Sequence, residues 1–304
     1  AVRALPDFYW EEPIRLSKGQ GAYPQVFRSG QNVLAIWQES AAATGGGTAW
    51  ISAASYAPDG TWTNADRFIG PLPWRGEGAA PVLFSAASDT NGTIAVAAVS
   101  GDASITVHLS KNSGHSFTQS AAIALPEPLV APRIFPRSGG GWYLFAARGG
   151  EGSLSMLLSV SEDGYTWSPF RVFLEDEQTF RLSFLPTVAP YGQGDVVVFQ
   201  STAGGTRGSY QLYARSTSDG GASWSYPARI STFLDSERRA RTPASADEVD
   251  NQVPHLSRIG GALWLTWQRR VGSENEQVFA MQLSDELVPD TESLQRVSSG
   301  QAAC

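Results

Sequence analysis

The chain has 304 residues, is 42% hydrophobic and 17% charged, and carries 31 glycines, 18 prolines and 10 tryptophans. A net charge of −7 with scattered Lys and Arg excludes nucleic acid as the main partner, because phosphate binding needs a basic stripe. The one cysteine, Cys304, forms no internal disulfide, and the dispersed His108, His115 and His255 fit no metal-ligand spacing. No cofactor is implied, and no apolar run is long enough to span a bilayer.

In chain order the first regular feature is Trp10, followed by Glu-Glu-Pro-Ile-Arg-Leu-Ser, which reads as an isolated outer strand. After it the chain repeats one plan. A proline opens a short apolar segment at Pro24, Pro81, Pro132, Pro186 and Pro254, expected as the first residue of a strand, where a sheet tolerates it. A polar turn leads to a β-branched or apolar strand at 33–37, 93–99, 142–147, 196–199 and 262–267. A third, alternating strand follows, as at 209–216, then a turn and a fourth strand, as at 226–231.

The turn before the fourth strand is the most informative element. It reads Ser55-Tyr-Ala-Pro-Asp-Gly-Thr-Trp62, Ser110-Lys-Asn-Ser-Gly-His-Ser-Phe117, Ser161-Glu-Asp-Gly-Tyr-Thr-Trp167 and Thr217-Ser-Asp-Gly-Gly-Ala-Ser-Trp224. The closing aromatics stand 50 to 57 residues apart. Asp or Asn accepts backbone N–H groups further along a turn, Gly supplies positive φ, and the aromatic buries a large apolar face. A period of this size marks a repeat architecture, and four strands per repeat describe a propeller blade.

These turns resemble the Asp-box, or bacterial neuraminidase repeat, whose pattern is Ser-x-Asp-x-Gly-x-Thr-Trp. The copy at 161–167 is one residue short and the copy at 55–62 is degenerate. The resemblance implies an all-β propeller of four-stranded antiparallel blades over residues 1–304, sialidase-like in class. Five complete blades fall at about 15–70, 71–125, 126–175, 176–232 and 233–300, with 1–14 as a stray outer strand. Six blades stay open if the chain is incomplete or its last repeat has diverged. Sialidase-like propellers commonly work outside the cytoplasm, so a secreted, periplasmic or cell-surface setting is expected, with a place in a larger surface protein as one option.

Propeller topology puts the Asp-box turns on one face, as structural elements, and ligands on the other. That opposite face collects the residues after each second strand: Gln38, Val99, Arg148, Gln200 and Gln268. It also collects those before each first strand: Gln20, Tyr23, Trp74, Arg75, Glu77, Arg181, Asp250, Asn251 and Gln252. The recurrent Gln reads as a ring of amides around a sugar-binding mouth, or as caps on strand ends. The long connection 232–253, with its mixed charge, reads as a solvated flap or a lid.

The resemblance also implies a specific chemistry to look for. A sialidase holds its substrate's carboxylate with three arginines, uses a Tyr nucleophile assisted by a Glu, and an Asp as acid/base. Arg148 matches the arginine-bearing end of a second strand, and Arg181 and Arg75 fall on the same face. Tyr23, Tyr210 and Tyr213 are available as nucleophile, Glu39 or Glu77 as base, and Asp250 as acid/base. The Arg-Ile-Pro signature is absent from 22–24, 79–81 and 130–132. In Pro132-Arg-Ile-Phe-Pro136 the order is shifted, which puts Arg133 inside a strand.

The reading from sequence is therefore a recognition module for a glycan or a protein. Its ligand residues are expected among Gln38, Trp74, Arg75, Arg148, Arg181, Gln200, Asn251 and Gln268. The alternatives are an exo-sialidase, another glycoside hydrolase with Glu77 and Asp250 as paired carboxylates, or an architectural domain.

Overall fold

The computed structural model describes residues 14–29, 31–41, 47–63, 66–74, 82–100, 104–124, 129–150, 153–180, 182–203, 209–231, 249–271 and 276–298. Its elements are all strands. Blade 1 contains β1 (Gln20–Ser29), β2 (Asn32–Ala41), β3 (Gly47–Tyr56) and β4 (Asp66–Trp74). Blade 2 contains β5 (Phe84–Ser88), β6 (Ile94–Val99), β7 (Ser104–Ser110) and β8 (Thr118–Gln119), with β9 (Ile123–Ala124) also paired to β7. Blade 3 contains β10 (Leu129–Pro136), β11 (Trp142–Gly150), β12 (Ser153–Ser161) and β13 (Arg171–Val172). Blade 4 contains β14 (Ser183–Tyr191), β15 (Gly194–Ser201), β16 (Gln211–Thr217) and β17 (Ala228–Arg229). Blade 5 contains β18 (Val249–Ile259), β19 (Ala262–Val271), β20 (Gln277–Leu283) and β21 (Pro289–Arg296).

Every pairing between named strands is antiparallel, and the first strands pack in succession: β1 on β5, β5 on β10, β10 on β14, β14 on β18. This is a five-bladed β-propeller. The stray outer strand expected around Trp10 lies outside the described residues.

The sequence explains the stacking. Middle strands of a blade are covered on both faces by neighbouring blades, so they read as continuous apolar runs, not as alternating ones. Ile94–Val99 and Val196–Phe199 are such runs, and Ile94, Val96, Val197 and Phe199 have no solvent exposure. One apolar cluster fills each wedge: Ile36, Ile51, Phe84 and Ile94 between blades 1 and 2, and Leu109, Ile134 and Leu144 between blades 2 and 3. Tyr143, Phe145, Phe199 and Tyr213 fill the next, and Val196, Leu265, Trp267 and Met281 the one between blades 4 and 5. Blade 1's other side packs Ala35, Trp37 and Ala54 against Leu16 and Trp62.

The turns before the fourth strands are tied as their sequences suggest. Asp219 accepts the Ser223 N–H at 2.9 Å and the Thr217 hydroxyl at 2.8 Å, while Thr217 Oγ1 accepts the Gly221 N–H at 3.0 Å. Asp163 does the same with Thr166 N–H (2.7 Å) and the Ser161 hydroxyl (3.2 Å), and Asn112 with Ser116 N–H (3.0 Å) and the Ser110 hydroxyl (2.9 Å). The looser copy keeps only the Asp59–Thr61 bonds. Gly164 is required: its φ is +77°, and a Cβ there would meet Leu109 Cδ1 at 2.6 Å. The closing aromatics plug the wedges. Trp224 packs on Tyr143 and Phe173 at centroid distances of 5.6 and 5.1 Å, and Phe117 stacks on Phe68 at 4.4 Å.

One expectation is corrected. The repeat prolines do not open their strands; β1, β10, β14 and β18 begin earlier, and each proline sits in a β-bulge. The residue before it, Tyr23, Ala131, Leu185 or Val253, has φ between 50° and 55°. Proline has no N–H for the ladder, so two residues of the first strand oppose one of the second. Pro81 lies outside the described residues.

Candidate functional site

The bulges face the end of the propeller opposite the Asp-type turns, where first strands begin and second strands end. This mouth is where the sequence placed the ligand residues. The structure brings few of them into it as free groups.

Gln38 and Gln200 form no open ring of amides. Both are fully buried, and both reach into the next blade: Gln38 Oε1 accepts the Leu83 N–H at 3.0 Å, and Gln200 Oε1 accepts the Val253 N–H at 2.7 Å. For Gln200 the blade 5 bulge explains the correction, since it frees the Val253 N–H that the ladder no longer uses. Gln268 is half-buried and pairs across the ladder with Gln252. Asn251 is also buried: it accepts the Trp267 indole N–H at 3.0 Å and donates to Gln211 Oε1 at 3.3 Å.

The charged candidates are engaged as well. Arg148 pairs with Glu177 at 2.9 Å. Asp250 accepts the Tyr210 N–H at 2.8 Å and pairs with Arg270 at 2.7 Å. Glu39 is 4% exposed and accepts from the Lys18 N–H (2.9 Å), the Trp37 indole (3.2 Å), the Ser52 hydroxyl (3.1 Å) and the Arg67 guanidinium (3.3 Å). Burial alone would raise its pKa; the four donors outweigh that and hold it below the ordinary value. A carboxylate so committed is a poor general base.

Among the tyrosines, Tyr23 sits in the blade 1 bulge, 38% exposed. Tyr210 packs edge-on against Phe184 at 5.4 Å, and burial, then Asp250, push its pKa up. Tyr213 is buried and donates to the Ala203 carbonyl at 2.6 Å. Trp74 ends β4 in blade 1, so its backbone belongs to a fourth strand and does not lead into a first one. Arg75, Glu77, Arg181 and residues 232–248 of the expected flap lie outside the described residues. Residues 249–253, its other end, are already part of β18. Among the described residues no three His, Cys, Asp or Glu side chains cluster as a metal site, and no helix is long and apolar enough to cross a membrane.

Sequence reasoning passed over the residue that stands out here, Arg133. It follows the blade 3 bulge on β10, and strand alternation sends Ile134 towards blade 2 and Arg133 towards blade 4. There it lines a hollow of about 50 Å³ with Ala131, Leu154, Met156, Phe184 and Leu185. Its Nε is buried and without a hydrogen-bond partner, and burial lowers its pKa from the usual arginine value. The available signal was the series one place after each proline: Gln25, Val82, Arg133, Thr187 and His255.

Fold and mouth together define a five-bladed β-propeller with a largely self-satisfied mouth. Neither a protein-family profile nor a curated protein sequence matches the chain. Solved structures do match its fold. A protein of unknown function from Dyadobacter fermentans superposes with a TM-score of 0.59 at 14% identity, over 92% of this chain and 83% of that one. An α-L-arabinanase from Penicillium chrysogenum, solved with arabinobiose, gives 0.58 at 15% identity, over 92% and 81%. The α-L-arabinofuranosidase arb93a from Fusarium graminearum, in complex with an iminosugar inhibitor, gives 0.52 at 12% identity, over 71% and 66%. None of these three is named a sialidase. At such identities the likeness establishes the fold.

Proposed function

We propose that this propeller recognises a glycan at its mouth without hydrolysing it. The observation that carries the reading is the state of the carboxylates. Inverting and retaining glycosidases need two, about 5–10 Å apart, one of them free to move a proton. Among the described residues, the mouth ends of the first and second strands carry two, Asp250 and Glu39, and Arg148 holds a third, Glu177, at the same end by an ion pair of 2.9 Å. The first is held by Arg270 and a backbone N–H, and the second by four donors.

Support for a sugar as the ligand comes from the arabinanase and the arabinofuranosidase that share the fold, and from the Asp-type turns, which resemble a repeat of sialidases. A protein partner on the same face is the other form of this reading. The catalytic alternative, an exo-sialidase or another glycoside hydrolase, draws on the same likenesses and on Arg148. An extracytoplasmic setting follows from the resemblance to sialidase-like propellers and belongs to the same proposal.

The test pairs binding with turnover. Purified protein is titrated with arabino-, xylo-, galacto- and uronate oligosaccharides and sialyllactose, and incubated with 4-nitrophenyl α-L-arabinofuranoside and 4-methylumbelliferyl α-sialoside. Binding without product is the expected result. Turnover that disappears in Arg148→Ala would establish the catalytic alternative instead.

A further inference from the structure

The Asp-type turn of blade 2 leans on blade 1 as the turn of blade 4 leans on blade 3, but the two wedges are filled differently. Gly114 stands over Leu34 and Gly221 over Tyr143: a Cβ on either glycine would meet that side chain at 3.1 or 2.7 Å. From these two anchors the ladders align. Leu34 takes the place of Tyr143, and Ala53, opposite Ile36, takes that of Leu158, opposite Phe145. The closing aromatic is Phe117 where blade 4 has Trp224. At each of the three positions the wedge between blades 1 and 2 has the smaller side chain. Where Trp224 packs closely on Tyr143 and Phe173, a hollow of about 400 Å³ remains here, lined by Leu34, Ala53 and Phe117.

The rim of this hollow is exposed and polar. It is formed by Thr63, Asp66, His115 and Ser116, so the hollow opens on the face of the Asp-type turns, opposite the mouth. His115 Nδ1 lies 2.6 Å from the Asn112 carbonyl oxygen, which can only accept. Nδ1 therefore carries the proton, and Nε2 of the neutral ring is an acceptor. Asp66 adds a carboxylate, and no Lys or Arg is among the described residues that line the hollow. Thr63 Oγ1 accepts the Ser55 N–H at 2.8 Å, and Ser116 Oγ accepts the Asn112 side-chain amide at 2.8 Å. Both hydroxyl protons are left to donate. Below the rim, Phe68 and Phe117 stack at 4.4 Å and make an apolar floor with Leu34 and Ala53.

We propose that this hollow binds a neutral mono- or disaccharide, as a second site independent of recognition at the mouth. Its size falls within the range of small-ligand sites, about 300–1,000 Å³. Sugar hydroxyls both donate and accept, so one molecule answers the two acceptors and the two donors of the rim. The C–H face of its ring covers the phenylalanine pair. Other ligand classes match less of the lining. An anion meets Asp66 with no counter-ion beside it. An amine satisfies Asp66 but brings no acceptor to Thr63 and Ser116. An apolar ligand strips water from the carboxylate and returns nothing.

The experiment follows the carbon-bound imidazole resonances of the purified protein at constant pH. They read the two faces separately: His115 lines the hollow, and His255 follows the blade 5 bulge at the mouth. The titrants are the methyl glycosides of arabinose, xylose, glucose, galactose and mannose, with xylobiose and lactose, and then glucuronate and glucosamine. At least one neutral sugar should move His115 saturably, and at least fivefold more tightly than glucuronate or glucosamine. Asp66→Ala, at an exposed position, should weaken that binding at least fivefold without changing the melting temperature. Phe117→Trp supplies the aromatic of blade 4 and should fill the hollow, abolishing the response without lowering the melting temperature.

A His115 signal that no neutral sugar moves overturns the site. Movement of His255 alone does the same and leaves recognition at the mouth standing. Tighter binding of glucuronate or glucosamine overturns the neutral-sugar assignment. Undiminished binding in Asp66→Ala, or in folded Phe117→Trp, overturns the placement in this hollow.

Discussion

Gln200, on the second strand of blade 4, hands its side-chain oxygen to the backbone N–H of Val253 on the first strand of blade 5, at 2.7 Å. Gln38 and Leu83 repeat the contact between blades 1 and 2 at 3.0 Å. In both cases a buried amide serves the backbone of the next blade, and at Val253 that backbone is a bulge. Gln200→Leu therefore leaves a buried donor unsatisfied, at a cost of about 1–3 kcal/mol. The Gln200 Nε2, buried without a partner, disappears in the same substitution and offsets part of that cost. Urea denaturation should show the loss, with sugar binding unchanged. Unchanged stability with lost binding would return the amide to a ligand role.

The way Gln38 and Gln200 were misplaced shows where sequence reading stops. The Asp-type turns are local: Thr217, Asp219, Gly221 and Ser223 stand within seven residues, and their hydrogen bonds close within the same span. Their spacing therefore exposes the blade plan directly. Which way a residue at the end of β2 or β15 points is not local. Those strands are apolar on both faces, so no polar alternation records the register, and the bulge opposite shifts it again. The prolines were misread for the same reason. A bulge is a relation between two strands, while a proline at a strand start looks identical in one. Arg133 was legible as being inside a strand, but its lack of an acceptor emerges only with blade 4 in place.

Asp195 is a second buried group that joins blades. It is 1% exposed, accepts the Tyr143 hydroxyl at 3.0 Å, and accepts the Ser138 N–H at 3.1 Å from the turn between β10 and β11. Asp195→Ala strands both donors and should cost about 2–3 kcal/mol, whereas Tyr143→Phe removes one bond and should cost about 1 kcal/mol. Equilibrium urea unfolding of both variants checks the order.

The same carboxylate has a pH signature. Burial raises its pKa above the ordinary aspartate value, and the bonds from Ser138 and Tyr143 only partly reverse this. The folded state then binds its proton more readily than the unfolded chain. This group's contribution thus grows as pH falls from the folded pKa towards about 3.9, and is least favourable at neutral pH. The stability of wild type relative to Asp195→Asn should therefore rise on acidification from pH 7. Urea midpoints at a series of pH values measure it, and a flat difference would contradict the assignment.

In the turns the sign reverses. The Ser223 hydroxyl, its backbone N–H and the Thr217 hydroxyl hold Asp219 far below the usual carboxylate range. The backbone N–H groups of Thr166 and Tyr165 lower Asp163 in the same way. Their stabilisation is fully present above the unfolded pKa and is lost only as pH falls through the folded one. In carboxyl-carbon NMR titrations Asp219 should stay ionised well below pH 3.9. Blade 2 carries Asn112 in the same geometry, so Asp219→Asn should keep the turn and its melting temperature nearly unchanged. Asp219→Ala should lower it.

Arg215 and Arg133 make an internal contrast at one seam. Arg215 is 6% exposed and lies 4.9 Å above the Phe173 ring. It donates to the carbonyls of Phe173, of Ser225 at 2.6 Å and of Trp224 at 3.4 Å. Burial lowers its pKa as it does for Arg133, yet every face of the guanidinium has work to do. Arg215→Met removes the donor from three carbonyls that hold blade 4's turn to blade 3, and should cost about 3 kcal/mol or more. Arg215→Lys should recover little, since one ammonium cannot span three acceptors set for a planar fork. Trp224 lies on this contact, so tryptophan fluorescence during urea unfolding reads the change directly.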